Sequence, residues 1–316
     1  HLLAHEVHHD LAREGEALLT RRPEGGWRET LAWVRGLDLL WLHRKRPNVL
    51  RLMQLKRAAR RIVYDVDDAV MYRDALSLGR QESASRRRRF AATVKAADLV
   101  IVGNRYLERH AREHTDAVSV LPTAIDLSLY PERTWEPRSG PLVLGWIGDT
   151  GSVAYLERQK DLFEAIGKAF PGPVFRVISS RFPRYEHLKV EEVPWRREIE
   201  AETLRSFDIG VMPLPDDPWS KGKCALKLLQ YMASGVPAVA SPVGMNADVI
   251  RHGENGFAPT TVEGWIEAVR ALADPSLRER MGKAGRKTVE EGYALSVTLP
   301  RLAAILREVA AGSRPA

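Results

Sequence analysis

Short apolar, β-branched runs alternate along the chain with longer stretches whose apolar residues recur at helical spacing. Ile62-Val63-Tyr64, Leu99-Val100-Ile101-Val102 and Val118-Ser119-Val120-Leu121 read as buried strands. Between the first two, Gln81 to Ala97 reads as a helix with basic residues on its outer face. Residues 131–141 (PERTWEPRSGP) are rich in proline, glycine and charge and read as a linker. The alternation then restarts. Strands are expected at Leu142–Ile147, Val174–Ile178, Ile209–Met212 and Ala238–Ala240, with helices over about 153–169, 198–206 and 223–233. A helical tail covers roughly 262–312, with breaks expected near Pro275 and Pro300. Strand and helix in regular succession predict an α/β class with parallel sheets. The expected layout is two open sheets facing each other across a cleft, with ligands outside the carboxyl ends of the strands.

The length of 316 residues fits two domains rather than one core. Hydrophobic residues at 44% and charged residues at 28% describe a globular chain, not a disordered one. No apolar run approaches membrane-spanning length. The single cysteine, Cys224, allows no intrachain disulfide and suits a reducing compartment. With no signal-peptide pattern after His1, a cytoplasmic location is expected, extending to the inner face of a membrane.

The net charge of +7 is uneven: residues 1–140 hold 25 Lys/Arg against 19 Asp/Glu. The basic clusters are His43-Arg44-Lys45-Arg46, Lys56 to Arg61, and Arg86 to Arg89. They suit an acidic partner such as an anionic membrane surface or a phosphorylated acceptor, or they form a solvated arginine-rich face. Nucleic acid is not expected, because no binding motif and few interleaved aromatics accompany the basic runs.

Three stretches carry candidate chemistry. In GKCALKLLQYMASGVPAVASPVGMNADVIRHGENGF, residues 222–257, Leu226, Leu229 and Met232 give a helix an apolar face, and Gly235 and Pro237 end it. Its amino terminus, near Cys224 and Ala225, is a natural anion site, with Lys221, Lys223 and Lys227 around it. Gly145 to Ser152 is a strand running into a glycine-rich turn, where Gly148, Asp149 and Thr150 could meet a phosphate or sugar. Asp65-Val66-Asp67, followed by Asp68, is a D-x-D triplet that could hold a divalent cation or be the polar tip of a strand. His5-Glu6-Val7-His8-His9 matches H-E-x-x-H, the zinc metalloprotease pattern, but has no third ligand and fails the longer continuation at Ala12 and Gly15.

KLLQYMASGVPAVASPVGMNADVIRHGENGF resembles the donor-binding half of GT-B-fold retaining glycosyltransferases, the group 1 or family 4 enzymes. That family's pattern is K-lleaMa-G-PvvaS-vGg-pEvi-G-nGf. ADLVIVGNRYL (97–107) and VLPTAIDLSLYP (120–131) are similar to segments of its acceptor domain, so the resemblance covers about residues 61–312. The family's opening strand and glycine loop are not matched, which implies a first domain incomplete at its start. The resemblance implies an acceptor-side Rossmann-like domain over 1–137, a nucleotide-sugar domain over 141–295, and a final helix, 296–316, packing back on the first domain. It implies sugar transfer from a nucleotide-diphospho-sugar to a hydroxyl of a glycan, polysaccharide or lipid-linked acceptor, with retention, no metal and no cofactor.

On this resemblance the catalytic candidates are Asp67, Asp68 and Lys227. Gly148, Asp149, Thr150, Trp195, Lys221, Lys223, Cys224, Ala225, Leu226 and Gln230 would bind the donor. Trp195 stands where the nucleobase is expected, and it would either stack there or pack in the core. Asp65 and Asn104 would lie on the acceptor side, Asp65 capping local backbone. The chain departs from the family's Glu-x7-Glu pair, with Gly222 and Gln230 at those positions. Gln230 keeps a hydrogen-bonding amide without charge; Gly222 keeps nothing. A nucleotide-sugar-binding protein without catalysis is therefore the alternative.

Overall fold

The computed structural model describes residues 25–74, 80–135 and 139–312. The H-E-x-x-H stretch lies outside the described residues. The chain divides into two compact units: residues up to Ala124 together with Ser296 onward, and Ile125–Leu295.

In the first unit, strands β1 (Leu40–His43), β2 (Ile62–Val66), β3 (Leu99–Val102) and β4 (Val118–Val120) form a parallel sheet in that order. Helices α1 (Trp27–Arg35), α2 (Val49–Ala58), α3 (Ala84–Ala96) and α4 (Arg105–Arg112) connect or flank them. Val34, Leu40, Leu55 and Ile62 pack into one apolar cluster. The side chain of Asn48 accepts from Arg51 N and starts α2; that of Asn104 accepts from Leu107 N and starts α4. Each such cap satisfies a helix-end donor and contributes about 1 kcal/mol.

The second unit opens with β5 (Val143–Ile147), α5 (Val153–Arg158), α6 (Lys160–Ala169), β6 (Val174–Ser179), β7 (Lys189–Pro194) and α7 (Glu200–Arg205). Then come β8 (Ile209–Met212), α8 (Pro218–Lys221), α9 (Leu226–Ala233), β9 (Ala238–Ala240), α10 (Met245–Val249), β10 (Gly256–Phe257), α11 (Val262–Ala271) and α12 (Pro275–Gly292). The six strands are parallel in the order β10-β9-β8-β5-β6-β7. Leu144, Trp146, Phe163, Phe175, Val211 and Trp265 fill the core, with the Phe163 and Phe175 rings stacked at 4.7 Å. The chain runs outward from β5 through β6 to β7, then returns to the other flank of β5 as β8. The strand order therefore reverses between β5 and β8, and the crevice at their carboxyl ends is where an open α/β sheet binds its ligand.

Several expectations need correction. The unit boundary falls before Ile125 rather than at 137. Ile125 bridges Ala294, Tyr130 is buried, and Arg133 donates to Phe207 O at 2.6 Å, so most of the proposed linker's approach is packed into the second unit. The tail breaks at Pro275, where Asp274 caps a new helix with proline at its first position. It does not break at Pro300, which lies inside α13 (Leu295–Ala310); the second break is at Tyr293 and Ala294, held by the bridge to Ile125. The expected helix over 153–169 is two helices meeting at Gln159. Strand β7 escaped the apolar pattern because it is an edge strand; its Glu191 is paired with Arg176 at 2.7 Å.

Candidate functional site

The crevice beside β5 is built from a turn and a helix start. After Ile147 the chain enters Gly148-Asp149-Thr150-Gly151-Ser152. A methyl on Gly148 would lie 2.3 Å from Trp146 Cη2 and 2.9 Å from Lys227 Cε, so only glycine lets the Lys227 stem cross here. Lys227 Nζ then stands 5.4 Å from the centroid of the Trp146 ring. Asp149 accepts from Ser152 N at 2.6 Å. Desolvation opposes its ionisation, but the Ser152 donors, then the Lys227 and Lys223 charges, hold the Asp149 carboxyl below its ordinary value. The hydroxyls of Thr150 and Ser180 hydrogen-bond, joining the turns that follow β5 and β6.

The helix start differs from the expectation that one helix opens at residue 223. Asp217 caps the short α8, which ends at Gly222, and α9 begins only at Leu226. Of the three lysines, only Lys227 lies in the first turn of α9. Lys221 ends α8 and pairs with Asp216 at 2.8 Å. Lys223 lies between the helices, its Nζ 5.3 Å from the Tyr155 ring and 5.8 Å from the Trp219 ring. Cys224 and Ala225 are buried, and Ala225 has φ +55°, a left-handed conformation costing an L-residue roughly 1–2 kcal/mol. Ala225, at the N-cap position of α9, makes no side-chain cap to the helix. A left-handed residue at a helix start that lacks a side-chain cap is an arrangement that suits an anionic ligand. Leu226, expected on the apolar face, is 49% exposed at this helix start, whereas Leu229 and Met232 are fully buried.

Trp195 follows the carboxyl end of β7 and is 52% exposed, so it is not a core tryptophan. Its indole N–H donates to Glu200 Oε2 at 2.7 Å. Gln230, nearly buried, donates to Glu200 Oε1 at 2.8 Å and to Tyr130 Oη at 3.1 Å. Glu200 falls on no motif, and Tyr130, inside the VLPTAIDLSLYP stretch, was given no role there. Only the fold brings them to Gln230.

The D-x-D triplet belongs to the first unit. His43 Nδ1 lies 2.8 Å from Asp65 Oδ2, and Trp41 Nε1 donates to the same oxygen at 3.2 Å. Asp65 therefore binds side chains of β1 and does not cap backbone as expected. Arg44, itself at φ +54°, forms a two-pronged hydrogen bond with Asp67 and meets Asp68 at 2.8 Å. Among the described residues, no group of three or more His, Cys, Asp or Glu is placed to hold a metal ion. Asn104 is 3% exposed and acts as the cap of α4. The basic clusters are partly spent on internal partners: Arg46 donates to Val70 O, Lys56 meets Asp98 at 3.3 Å, and Arg86 donates to Tyr72 O at 2.8 Å. Among the described residues no helix is long and apolar enough to cross a membrane.

A family model described as glycosyl transferases group 1 matches residues 150–274. Glycogen synthase of Mycobacterium tuberculosis is 25% identical over 198 residues, covering 56% of this chain and 45% of that protein. The chain thus spans a little under half the length of this curated relative. Among solved structures, sucrose-phosphate synthase from Thermosynechococcus elongatus matches with TM-score 0.70 and 19% identity, over 93% of this chain and 82% of that one. HepE from Anabaena, in complex with UDP and glucose, matches with TM-score 0.67 and 15% identity, over 95% and 88%. The chain has the GT-B fold, and its residues 150–274 match the glycosyl transferases group 1 family.

Proposed function

We propose that the protein is a glycosyltransferase that moves a sugar from a nucleotide-diphospho-sugar to an acceptor hydroxyl. The observation that carries this reading is Lys227, in the first turn of α9, lying over Gly148 where the strand order reverses. A diphosphate there would meet the N–H groups of α9 and the Lys227 ammonium, with Lys223 nearby. As the bond from the anomeric carbon to the phosphate oxygen breaks, the nucleoside diphosphate leaves with the electron pair. The acceptor oxygen forms the new bond to that carbon, and its proton ends on the released diphosphate. Charge grows on the leaving phosphate, and fixed donors stabilise it more than they stabilise the bound substrate. This electrostatic role supports a transfer that needs no metal; retention is the outcome the family resemblance favours. Exposed Trp195 suits a stacked nucleobase. That HepE was solved with UDP and glucose supports a nucleotide sugar as donor.

In the first unit, Asp67 and Asp68, fixed by Arg44, would orient hydroxyls of a glycan or lipid-linked acceptor. Val49, Leu50 and Met53 stand exposed along α2, close in sequence to Lys45, which supports docking on an anionic lipid surface. The second reading, a nucleotide-sugar-binding protein without turnover, is favoured by Gly222, which offers no side chain where the family has a glutamate.

Isothermal titration with UDP, GDP and dTDP, followed by hydrolysis and transfer assays with their sugars, tests the proposal. A nucleoside diphosphate should bind, and its sugar should be consumed. Binding without consumption would establish the second reading; no binding by any of them would overturn both.

A further inference from the structure

Glu200 is held by residues from three separate parts of the second unit: Trp195 after β7, Tyr130 near the start of the unit, and Gln230 on α9. The donor directions are settled by inventory. Gln230 Nε2 has two hydrogens, and they go to Tyr130 Oη and Glu200 Oε1. Tyr130 therefore uses its own hydrogen on Glu200 Oε1, at 3.1 Å. Burial raises the Tyr130 phenol above its ordinary range, so that hydrogen stays in place. A carboxylate has about four acceptor positions. Oε1 accepts from Gln230 and Tyr130, while Oε2 accepts from Trp195 alone among the described residues. One acceptor position, on Oε2, remains for a ligand.

Its place points to which ligand. Lys227 and Gln230 are three residues apart on α9, which puts them on neighbouring turns of one face, roughly 5–6 Å apart. A ribose joined to a diphosphate on Lys227 lies about that far along. Oε2 is the oxygen tied to the indole of Trp195, hence the one nearer a stacked base, and the ribose hydroxyl nearest a base is the 2′-hydroxyl. The turns carrying the site are continuous: Thr150 bonds Ser180, and Trp195 N donates to Ser179 O at 3.1 Å.

We propose that Glu200 anchors the donor by accepting a hydrogen bond from the ribose 2′-hydroxyl, making the site selective for ribonucleoside over 2′-deoxyribonucleoside diphosphate sugars. The proposal rests on the donor-site reading above. Gln230, at the family's glutamate position, then serves as a positioning residue: it brings no charge itself but holds a carboxylate that comes from α7. A carboxylate already carrying three donors is pre-oriented, so the hydroxyl it binds pays little ordering cost. A site built to bind a hydroxyl also discriminates strongly against the analogue that lacks it.

Isothermal titration of the whole chain with UDP, 2′-deoxy-UDP, GDP and 2′-deoxy-GDP tests this, repeated on Glu200→Gln and Glu200→Asp with thermal midpoints recorded. The wild type should bind the better ribonucleotide about tenfold to a hundredfold tighter than its 2′-deoxy form, the range for a charge-assisted hydrogen bond. Both variants should bring the two forms to within about threefold by weakening only the ribonucleotide. Equal wild-type affinity for the two forms, or a preference that survives in a folded variant, overturns the proposal and leaves the donor-site reading standing. Failure of all four, and of dTDP as well, to bind the wild type overturns that reading and this proposal together; binding of dTDP alone overturns only this proposal. If Glu200→Gln does not fold, the wild-type pair and Glu200→Asp still decide the matter.

Discussion

Lys227 crosses Gly148 so closely that a single added methyl would come within 2.9 Å of Lys227 Cε. A strand end and a helix start from opposite sides of the β5/β8 reversal are thereby joined at one point. The ammonium is placed by packing, because its stem is fixed between the Gly148 backbone and the Trp146 ring.

Lys227→Ala should lower turnover with the true donor by about a hundredfold or more, as removal of one preorganised donor does elsewhere. Gly148→Ala should act in the same direction by displacing the lysine, and should also cost stability through the Trp146 ring. Steady-state kinetics beside thermal midpoints check both. Wild-type turnover in Lys227→Ala would remove the lysine from the mechanism.

Trp195→Ala should barely change the thermal midpoint, because the side chain is half exposed, yet weaken nucleoside diphosphate binding by about 1–3 kcal/mol through loss of base stacking. A calorimetric affinity equal to wild type would show that the base lies elsewhere.

Replacing Asp67 and Asp68 together with Asn should depress transfer while sparing nucleotide affinity, since both carboxylates belong to the first unit. The check is transfer rate at saturating donor alongside UDP titration. An unchanged rate would leave the Arg44 cluster as a purely structural clamp.

Glu164 offers a pH signature for the second unit. Its carboxylate accepts from Glu186 N at 2.7 Å, His187 N at 2.9 Å and the His187 ring. The Glu186 N–H leads in drawing its pKa from 4.5 down to about 2. The folded value is below the unfolded one, so the stabilisation is complete above pH 4.5 and is lost as pH falls through about 2. Glu164→Gln should therefore lower the thermal midpoint at pH 7, and the gap should close as the pH is lowered towards 2. A gap independent of pH across that window would contradict the account.

Sedimentation with vesicles should retain the protein when phosphatidylserine is present and release it at high salt, because basic attraction is screened while Leu50 and Met53 add apolar contact. Substituting Val49, Leu50 and Met53 with Ser should reduce retention; binding indifferent to anionic lipid and to these residues would exclude the surface.

Local periodicity was enough for the α/β class, for most of the strands, and for the glycine- and lysine-bearing stretch around α9, because those features are written in neighbouring residues. The apolar run of β8, the turn after β5 and the Gly235-Pro237 stop each carry their own signal. The D-x-D triplet was visible too, but not its meaning. Its partners His43 and Arg44 sit on β1 and just beyond it, and they counted as surface charge until the β1–β2 register set them beside the carboxylates. The helix start was misplaced because a left-handed Ala225 leaves no trace in composition. Glu200 shows the limit most plainly. Thirty residues separate it from Gln230 and seventy from Tyr130, and no periodicity spans such distances. A carboxylate missing from its expected place in the chain can be restored by packing alone, since a binding site is defined by where atoms converge and not by the order in which they were joined.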